Sequence, residues 1–451
     1  MNSILEKHLR SIYPKHDFLQ LAKKIETIFP QINTEERDYQ ELWDETDILV
    51  ISYADTIIGP KEKPLKVLKH FLDTYLGNTA TLLHILPFFP FSSDDGFAVT
   101  DYEEVRSELG DWSNITDLSK SYKIMADVVI THTSSSHSWF QQFCSATIPG
   151  KNYYKTENPK TNLSMVVRPR SNDLLQSKKT KHGSKYVWCT FSPDQVDLDF
   201  SNPDVLIEFL EIFKKYISFG IRIFRLDAVG YIWKEVGTKC INLPQAHEII
   251  KLVRLLTDSL EENIILVTET NVPSQENLEY FGNGNEAHII YNFSLPPLIL
   301  HALLTGESKW LRHWMMGMPP SSRNCTYLNF TASHDGIGLR PLEGLLPQSE
   351  IESIVSTVQK FGGRLTFRKH FGKNIPYEIN STFYDALKGT TRGVDTLQSK
   401  RFIASQMIMI ALAGIPAIYL NSFFSTKNDT SLANKTQNNR SINRSKWNIE
   451  D

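Results

Sequence analysis

The sequence predicts a (β/α)8 TIM barrel, an α/β fold. Three observations carry that expectation. Eight short, β-rich apolar runs recur along the chain, amphipathic helical stretches fit between several of them, and chemistry-bearing residues gather at the downstream ends of the runs. Alternating strands and helices imply parallel strands joined by crossover helices. Eight such units close a barrel; an open, doubly wound sheet is the alternative use of the same alternation.

Residues 1–46 read as an N-terminal helical extension. Apolar residues in ILEKHLRSIYPKHDFLQLAKKIETIF recur at spacings of three and four, with a break at Pro14. Strands follow at 47–55 (DILVISYAD), 80–90 (ATLLHILPFFP), 124–131 (IMADVVIT), 221–230 (IRIFRLDAVG), 264–271 (IILVTETN), 287–294 (AHIIYNFS), 326–335 (TYLNFTASHD) and 415–420 (IPAIYL). Helices are expected at 64–76, 205–218 and 244–260. Two intervals are too long for simple loops, 134–200 after strand three and 340–400 after strand seven, so each is expected to form an insertion. The catalytic barrel then comprises 47–133 and 201–451. The first insertion is basic, with Lys151, Lys155, Lys160, Arg168, Arg170, Lys178, Lys179, Lys181 and Lys185 against Glu157 and Asp173. It reads as a solvated surface or as a cationic lid for an anionic substrate. The polar end of the chain leaves little room for a last barrel helix.

The chain has 451 residues, a net charge of −3, 41% hydrophobic and 22% charged residues, which excludes disorder, collagen and a coiled coil as the main architecture. Near-zero charge argues against broad nucleic-acid binding. The 4 cysteines form no CxxC pair, so neither a zinc knuckle nor a disulfide framework is indicated. No signal-peptide h-region opens the chain, and no window of ~18 apolar residues would span a membrane. HExxH and EF-hand patterns are absent, so no metal or cofactor is expected. The simplest location is the cytoplasm, as a monomer or homodimer.

Residues at the C-terminal ends of barrel strands converge on one face. Those positions hold His84, Asp94 and Asp95 after strand two, Asp127 and His132 on strand three, and Arg225 and Asp227 on strand four. Glu269 ends strand five; His334 and Asp335 end strand seven. One such Asp can be a helix cap; the set together calls for chemistry. Two carboxylates across a scissile bond perform glycoside transfer, one attacking the anomeric carbon and the other, protonated, releasing the leaving oxygen. Arg225 lies two residues before Asp227, on the same strand face, and is expected to keep Asp227 ionised as a nucleophile. Glu269 has no such cation nearby in sequence, and Asp227 and Asp335 would raise its pKa, so it is the expected acid/base. Asp335 would grip sugar hydroxyls, with His132 and His334 as further hydroxyl ligands.

These segments carry a family resemblance. FRLDAVG, LVTETN, NFTASHDGIG, DVVITH and QVDLDF resemble signature segments of the α-amylase family of retaining glycosidases and transglycosidases. HILPFFPFSSDDGF, LDAVGYIWKEVGT, FSLPPLILHAL and NNRSINR are similar to runs of its sucrose phosphorylase subfamily, over residues 45–446. The resemblance implies retaining phosphorolysis, in which an α-glucoside plus inorganic phosphate gives α-glucose 1-phosphate and the free acceptor. It implies Asp227 as nucleophile, Glu269 as acid/base and Asp335 as stabiliser. It also implies Asp94, His132, Arg225 and His334 in the glucose site, with Arg440 pairing Asp94 to close the pocket. Tyr231 would contact phosphate or the leaving sugar.

The sequence departs from that pattern. Thr131 stands where Asn precedes the histidine in the family, which speaks against a calcium ion. Asn271 stands where typical members have His, at a position facing the acceptor. With the basic insertion and VVRPR, it suggests an acceptor other than fructose, as in relatives acting on glucosylglycerate. The subfamily's C-terminal β domain has no counterpart in the sequence, so a weakened barrel with apolar surface exposed beside strand eight is expected. Arg168 and Arg170 are candidate phosphate ligands, since guanidinium fits an oxyanion bidentately. Two alternatives stand beside the phosphorylase: an α-glucoside hydrolase or transglucosylase, and a catalytically impaired descendant that binds a sugar or a partner.

Overall fold

The computed structural model describes residues 3–32, 42–322, 324–370 and 373–451. Eight strands close into a barrel: β1 (Leu49–Ser52), β2 (Leu82–Ile85), β3 (Lys123–Val128), β4 (Ile221–Leu226), β5 (Ile265–Thr268), β6 (Ile289–Tyr291), β7 (Thr326–Phe330) and β8 (Ile415–Tyr419). Every neighbouring pair is parallel, and β8 returns to β1 with Ala417 opposite Leu49. The open sheet is thereby excluded. The strands read as unbroken apolar runs because they face packed side chains on both sides: inside the barrel, and outside against the helices.

The helices start where local chemistry favours them. Pro64 and Pro203 open Pro64–Tyr75 and Pro203–Ser218 at a position where a missing N–H costs nothing, and Asn202 caps the second by accepting from Asp204 N–H. Pro244–Asp258 packs against the N-terminal helix Ser3–Ile12, and Phe18–Ile28 packs on Pro203–Ser218. The break expected at Pro14 separates the two N-terminal helices; residues 33–41 of that extension lie outside the described residues.

Both long intervals carry secondary structure of their own. The first holds the helix Ser138–Ser145 and an antiparallel pair, Leu175–Thr180 with Gly183–Trp188. It is anchored where His132–Ser134 pairs antiparallel with Gln195–Asp197. Asp194 accepts from the hydroxyls of Ser92, Ser93 and Ser135, tying the insertion to the loop after β2. The second holds the helix Gln348–Lys360 and the strands Arg364–His370 and Lys373–Asn380, the latter paired with Ile337–Gly338 just after β7. That pairing swings Tyr377 and Glu378 over the barrel mouth.

The barrel closes fully, and apolar surface is exposed beside β8, as expected. The helix Gln398–Ile410, which leads into β8, exposes Ile403, Met407 and Ile410 at 58%, 65% and 50%. The end of the chain turns back over the barrel: Trp447–Asn448 pairs with Ile57–Ile58.

Candidate active site

Strand register assembles the site. Arg225 is the direct neighbour of Asp127 across β3 and β4. Thr268 on β5 faces Leu226, so the next residues, Asp227 and Glu269, emerge side by side; Glu269 N–H donates to Leu226 O at 3.1 Å. Asp335 follows β7, and Asp94 follows β2. One cavity is lined by Asp227, Glu269 and Asp335 together with Asp94, His132, His334, Arg440, Tyr231, Asn271 and Arg170. Residues scattered over more than 340 positions thus face a single space, as the C-terminal face of a barrel dictates.

Arg225 organises its floor. Nη1 donates to Asp127 Oδ1 at 2.5 Å and to Asp227 Oδ1 at 2.8 Å, while His84 Nε2 lies 2.8 Å from Asp127 Oδ2. The guanidinium also lies 5.6 Å from the Tyr291 ring centre. Asp127 is held down to about 2; burial raises it, but Arg225 and His84 more than offset that.

Asp227 and Glu269 behave differently from Asp127. Burial pushes both upward, the charge of Glu269 raises Asp227, that of Asp335 raises Glu269, and Arg225 pulls both down without reversing the outcome. Arg225, expected to keep Asp227 ionised, does bind it, but its Nη1 is shared with Asp127 and burial works against the charge. Among the described residues Asp227 accepts from a guanidinium and Glu269 from the Ala228 N–H, at 2.9 Å, so the hydrogen bonds favour a charge on Asp227 more than on Glu269. One ionised and one protonated carboxyl in the same cavity is the equipment for nucleophilic attack with acid assistance.

Asp335 is kept low mainly by Arg440, which offsets the effect of burial, and Arg440 Nη1 lies 2.6 Å from Asp335 Oδ1. The expected pairing of Arg440 with Asp94 is not observed. Arg440 instead bridges Asp335 and Glu378, whose Oε2 it meets at 2.7 Å; Arg444 takes Asp95, and Asp94 accepts from Gln195 Nε2 at 3.3 Å. Four residues apart in NNRSINR, the two arginines divide the acids of the two loops between them. Asp94 and Asp95 both adopt left-handed backbone, at φ 56° and 48°, which Asp tolerates better than most residues. Gly96 follows at φ 112°, where a Cβ would lie 2.7 Å from Pro87 Cβ and from its carbonyl oxygen.

Thr131 has a positive role. Its hydroxyl lies 2.7 Å from His132 Nδ1, so with Thr131 donating, the His132 Nε2–H points to Phe97 O at 2.9 Å. Burial lowers the pKa of His132, and His334, stacked on Phe97 at 5.0 Å, is also held neutral by burial and by Arg225 and Arg444. Among the described residues no group of His, Cys, Asp and Glu is placed to hold a metal ion. The Asp of QVDLDF, Asp197, instead meets the buried ammonium of Lys234 at 2.9 Å and accepts from Thr190.

Of the two candidate phosphate ligands, Arg170 reaches the cavity and lies 5.7 Å from the Tyr377 ring centre. Arg168 turns away and donates to Asn172 O. Sequence reasoning missed Gln195, Tyr377, Glu378, Arg340, Arg368 and Arg444. Gln195 and Arg444 sit inside quoted motifs and could have been found there; the others depend on how the second insertion folds back.

The comparisons with known proteins decide the family. The catalytic-domain model of α-amylase matches residues 72–332. The chain belongs to the α-amylase family. It is 42% identical to glucosylglycerate phosphorylase of Allomeiothermus silvanus over 407 residues, covering 90% of this chain and 73% of that protein. It is 40% identical to glucosylglycerate phosphorylase of Escherichia coli, over 91% and 74%. Among solved structures, sucrose 6F-phosphate phosphorylase from Thermoanaerobacter thermosaccharolyticum superposes with a TM-score of 0.80 at 26% identity, covering 91% of this chain and 84% of that one. No helix among the described residues is long and apolar enough to cross a membrane.

Proposed function

We propose that the protein is a retaining α-glucoside phosphorylase that takes glucosylglycerate and phosphate to α-glucose 1-phosphate and glycerate. The observation that carries this reading is the placement of Asp227, bound by Arg225, and Glu269, bound by the Ala228 N–H, in one cavity that Arg170 and Arg440 also line. The relatives at 42% and 40% identity support the acceptor, and so does Asn271 facing the outer end of the cavity.

Asp227 Oδ attacks the anomeric carbon from the face opposite the leaving oxygen, and Glu269 gives its proton to that oxygen as the bond breaks. Glycerate departs and leaves a β-glucosyl ester on Asp227. Phosphate enters, Glu269 accepts its proton, and a phosphate oxygen displaces Asp227 with a second inversion, so the α configuration is retained. Asp335 takes up sugar hydroxyls once they displace Arg440, which retires to Glu378. Asp94, His132 and His334 complete the glucose site, with Arg225 fixing Asp227.

Phosphate must outcompete water at roughly 55 M, which a docked anion achieves through effective concentration over a water-poor pocket. Arg170, at the cavity wall, and the hydroxyl of Tyr231 supply the docking; Arg168, facing Asn172 O, does not. The test is incubation with glucosylglycerate, sucrose, sucrose phosphate and glucosylglycerol, each with and without phosphate. Glucose 1-phosphate formed from glucosylglycerate only with phosphate is the expected result; free glucose at equal rates in both overturns the reading in favour of a hydrolase.

A further inference from the structure

Behind the outer wall of the cavity lies an arginine that no motif singled out. Arg340 sits on the single turn Arg340–Leu342, five residues past Asp335, and is 7% exposed. Its Nη1 donates to Tyr231 Oη at 3.4 Å, and its Nε has no partner. The one carboxylate within ion-pair distance among the described residues is Glu276, at 4.0 Å from Nη2; Glu276 is shared with Asn242 Nδ2 at 2.7 Å. Arg368 faces the same region but is already paired with Glu343. Arg340 is thus a buried cation whose one ion-pair partner among the described residues, Glu276, is shared and at the limit of ion-pair distance.

Its effect passes through Tyr231. A phenol oxygen that accepts from a guanidinium still has its own proton to give. No other hydrogen bond engages this hydroxyl among the described residues, and Tyr231 clusters with the apolar Ala228, Ile241, Val272 and Phe191. That proton is free for a ligand, since Tyr231 lines the cavity together with Asn271, whose Oδ1 is buried without a partner among the described residues. A donor backed by a positive charge suits an oxyanion, and a neutral hydroxyl gains far less from it.

We propose that Arg340 is a positioning residue that makes the acceptor end of the cavity selective for leaving groups bearing a carboxylate, by holding the Tyr231 hydroxyl as a donor and placing a buried positive charge behind it. The substrate class is then α-glucosides of small hydroxy acids. The proposal rests on the phosphorylase reading and deepens it. Phosphate, an oxyanion of the same sign, meets the same donor in the second half-reaction.

The test uses α-glucosyl fluoride as donor, so that the leaving group carries no carboxylate, and compares transfer to glycerate with transfer to glycerol, its neutral counterpart. The unaltered protein prefers glycerate. In Arg340→Gln the ratio of kcat/KM for glycerate over glycerol falls roughly 10- to 100-fold through the KM for glycerate, the range expected for a lost charge-assisted contact. Arg340→Lys recovers most of the preference, Tyr231→Phe loses a similar amount, and the double variant loses no more than either. An unchanged ratio in Arg340→Gln with glycerol transfer intact overturns the proposal, and so do additive losses in the double variant. Should Arg340→Gln lose glycerol transfer too, Tyr231→Phe decides: a retained glycerate preference overturns the proposal. A wild-type protein that passes glucose to water but to neither glycerate nor phosphate fails the phosphorylase reading itself, and the proposal falls with it.

Discussion

Replacing Asp127 by Asn tests the electrostatic design of the site without touching a reacting atom. The two oxygens that accept from Arg225 Nη1, on Asp127 and Asp227, lie 2.5 and 2.8 Å from it and so stand at most 5.3 Å apart. At an effective dielectric of about 20, unit charges at that separation repel by ~3 kcal/mol, about two pKa units. Asp127 is one of the groups that raise Asp227. Removing its charge lowers the affinity of the Asp227–Glu269 pair for its proton, and Arg225, released from Asp127, turns more fully to Asp227 and pulls in the same direction. The alkaline limb of kcat/KM, where Glu269 loses its proton, should therefore move to lower pH by roughly one to two units. Breaking one partner of a buried pair should also cost about 3 kcal/mol of stability, seen as a lower Tm. The assay is the pH profile of phosphorolysis, beside a melting curve that shows the variant is folded at the assay temperature. A limb that stays put or moves to higher pH in a folded variant refutes the reasoning.

Three further outcomes are expected. Glu269→Gln should cripple turnover of glucosylglycerate by 100-fold or more, on the order of general acid catalysis, yet spare formation of the glucosyl-enzyme from α-glucosyl fluoride, whose leaving group needs little protonation; equal losses on both would contradict the assignment. Gly96→Ala should lower Tm and raise the KM for every glucoside, since a Cβ 2.7 Å from Pro87 at φ 112° forces the Asp94 loop to move. His137, buried and held down to about 4, has a folded pKa below its unfolded value. Its contribution to stability is full above about pH 6.5 and is lost as pH falls toward 4, up to about 3 kcal/mol. His137→Asn keeps an acceptor for the Trp139 N–H at the helix start and should flatten that acid loss, measured as Tm against pH.

The barrel was legible because its strands are buried on both sides, so each is a short apolar run bounded by turn residues, and because parallel pairing needs the helices between them. The candidate acids were legible for a related reason: FRLDAVG and LVTETN place Asp227 and Glu269 directly after strands, where a barrel has its active face. Partnerships were less visible. Arg440 and Arg444 are four residues apart in the same run, and only the fold of the chain end decides that one meets Asp335 and Glu378 and the other Asp95. Arg168 and Arg170 flank Pro169, and the path of the insertion turns just one of them into the cavity. Arg340 was overlooked because a lone arginine in a loop carries no pattern; its meaning comes from Tyr231, 109 residues away. The burial that opposes Arg225 at Asp227 was not legible, because a neighbouring cation is visible in sequence and burial is not.

The central claim is that glucose passes through a covalent ester on Asp227 and is handed to phosphate. The most direct measurement is mass analysis of peptides from Glu269→Gln protein quenched after exposure to α-glucosyl fluoride. The account predicts a glucosyl group on the peptide containing Asp227, discharged as α-glucose 1-phosphate faster with phosphate than with water alone, though slowly for want of the base. No adduct, an adduct on another acid, or one discharged equally with and without phosphate would contradict it.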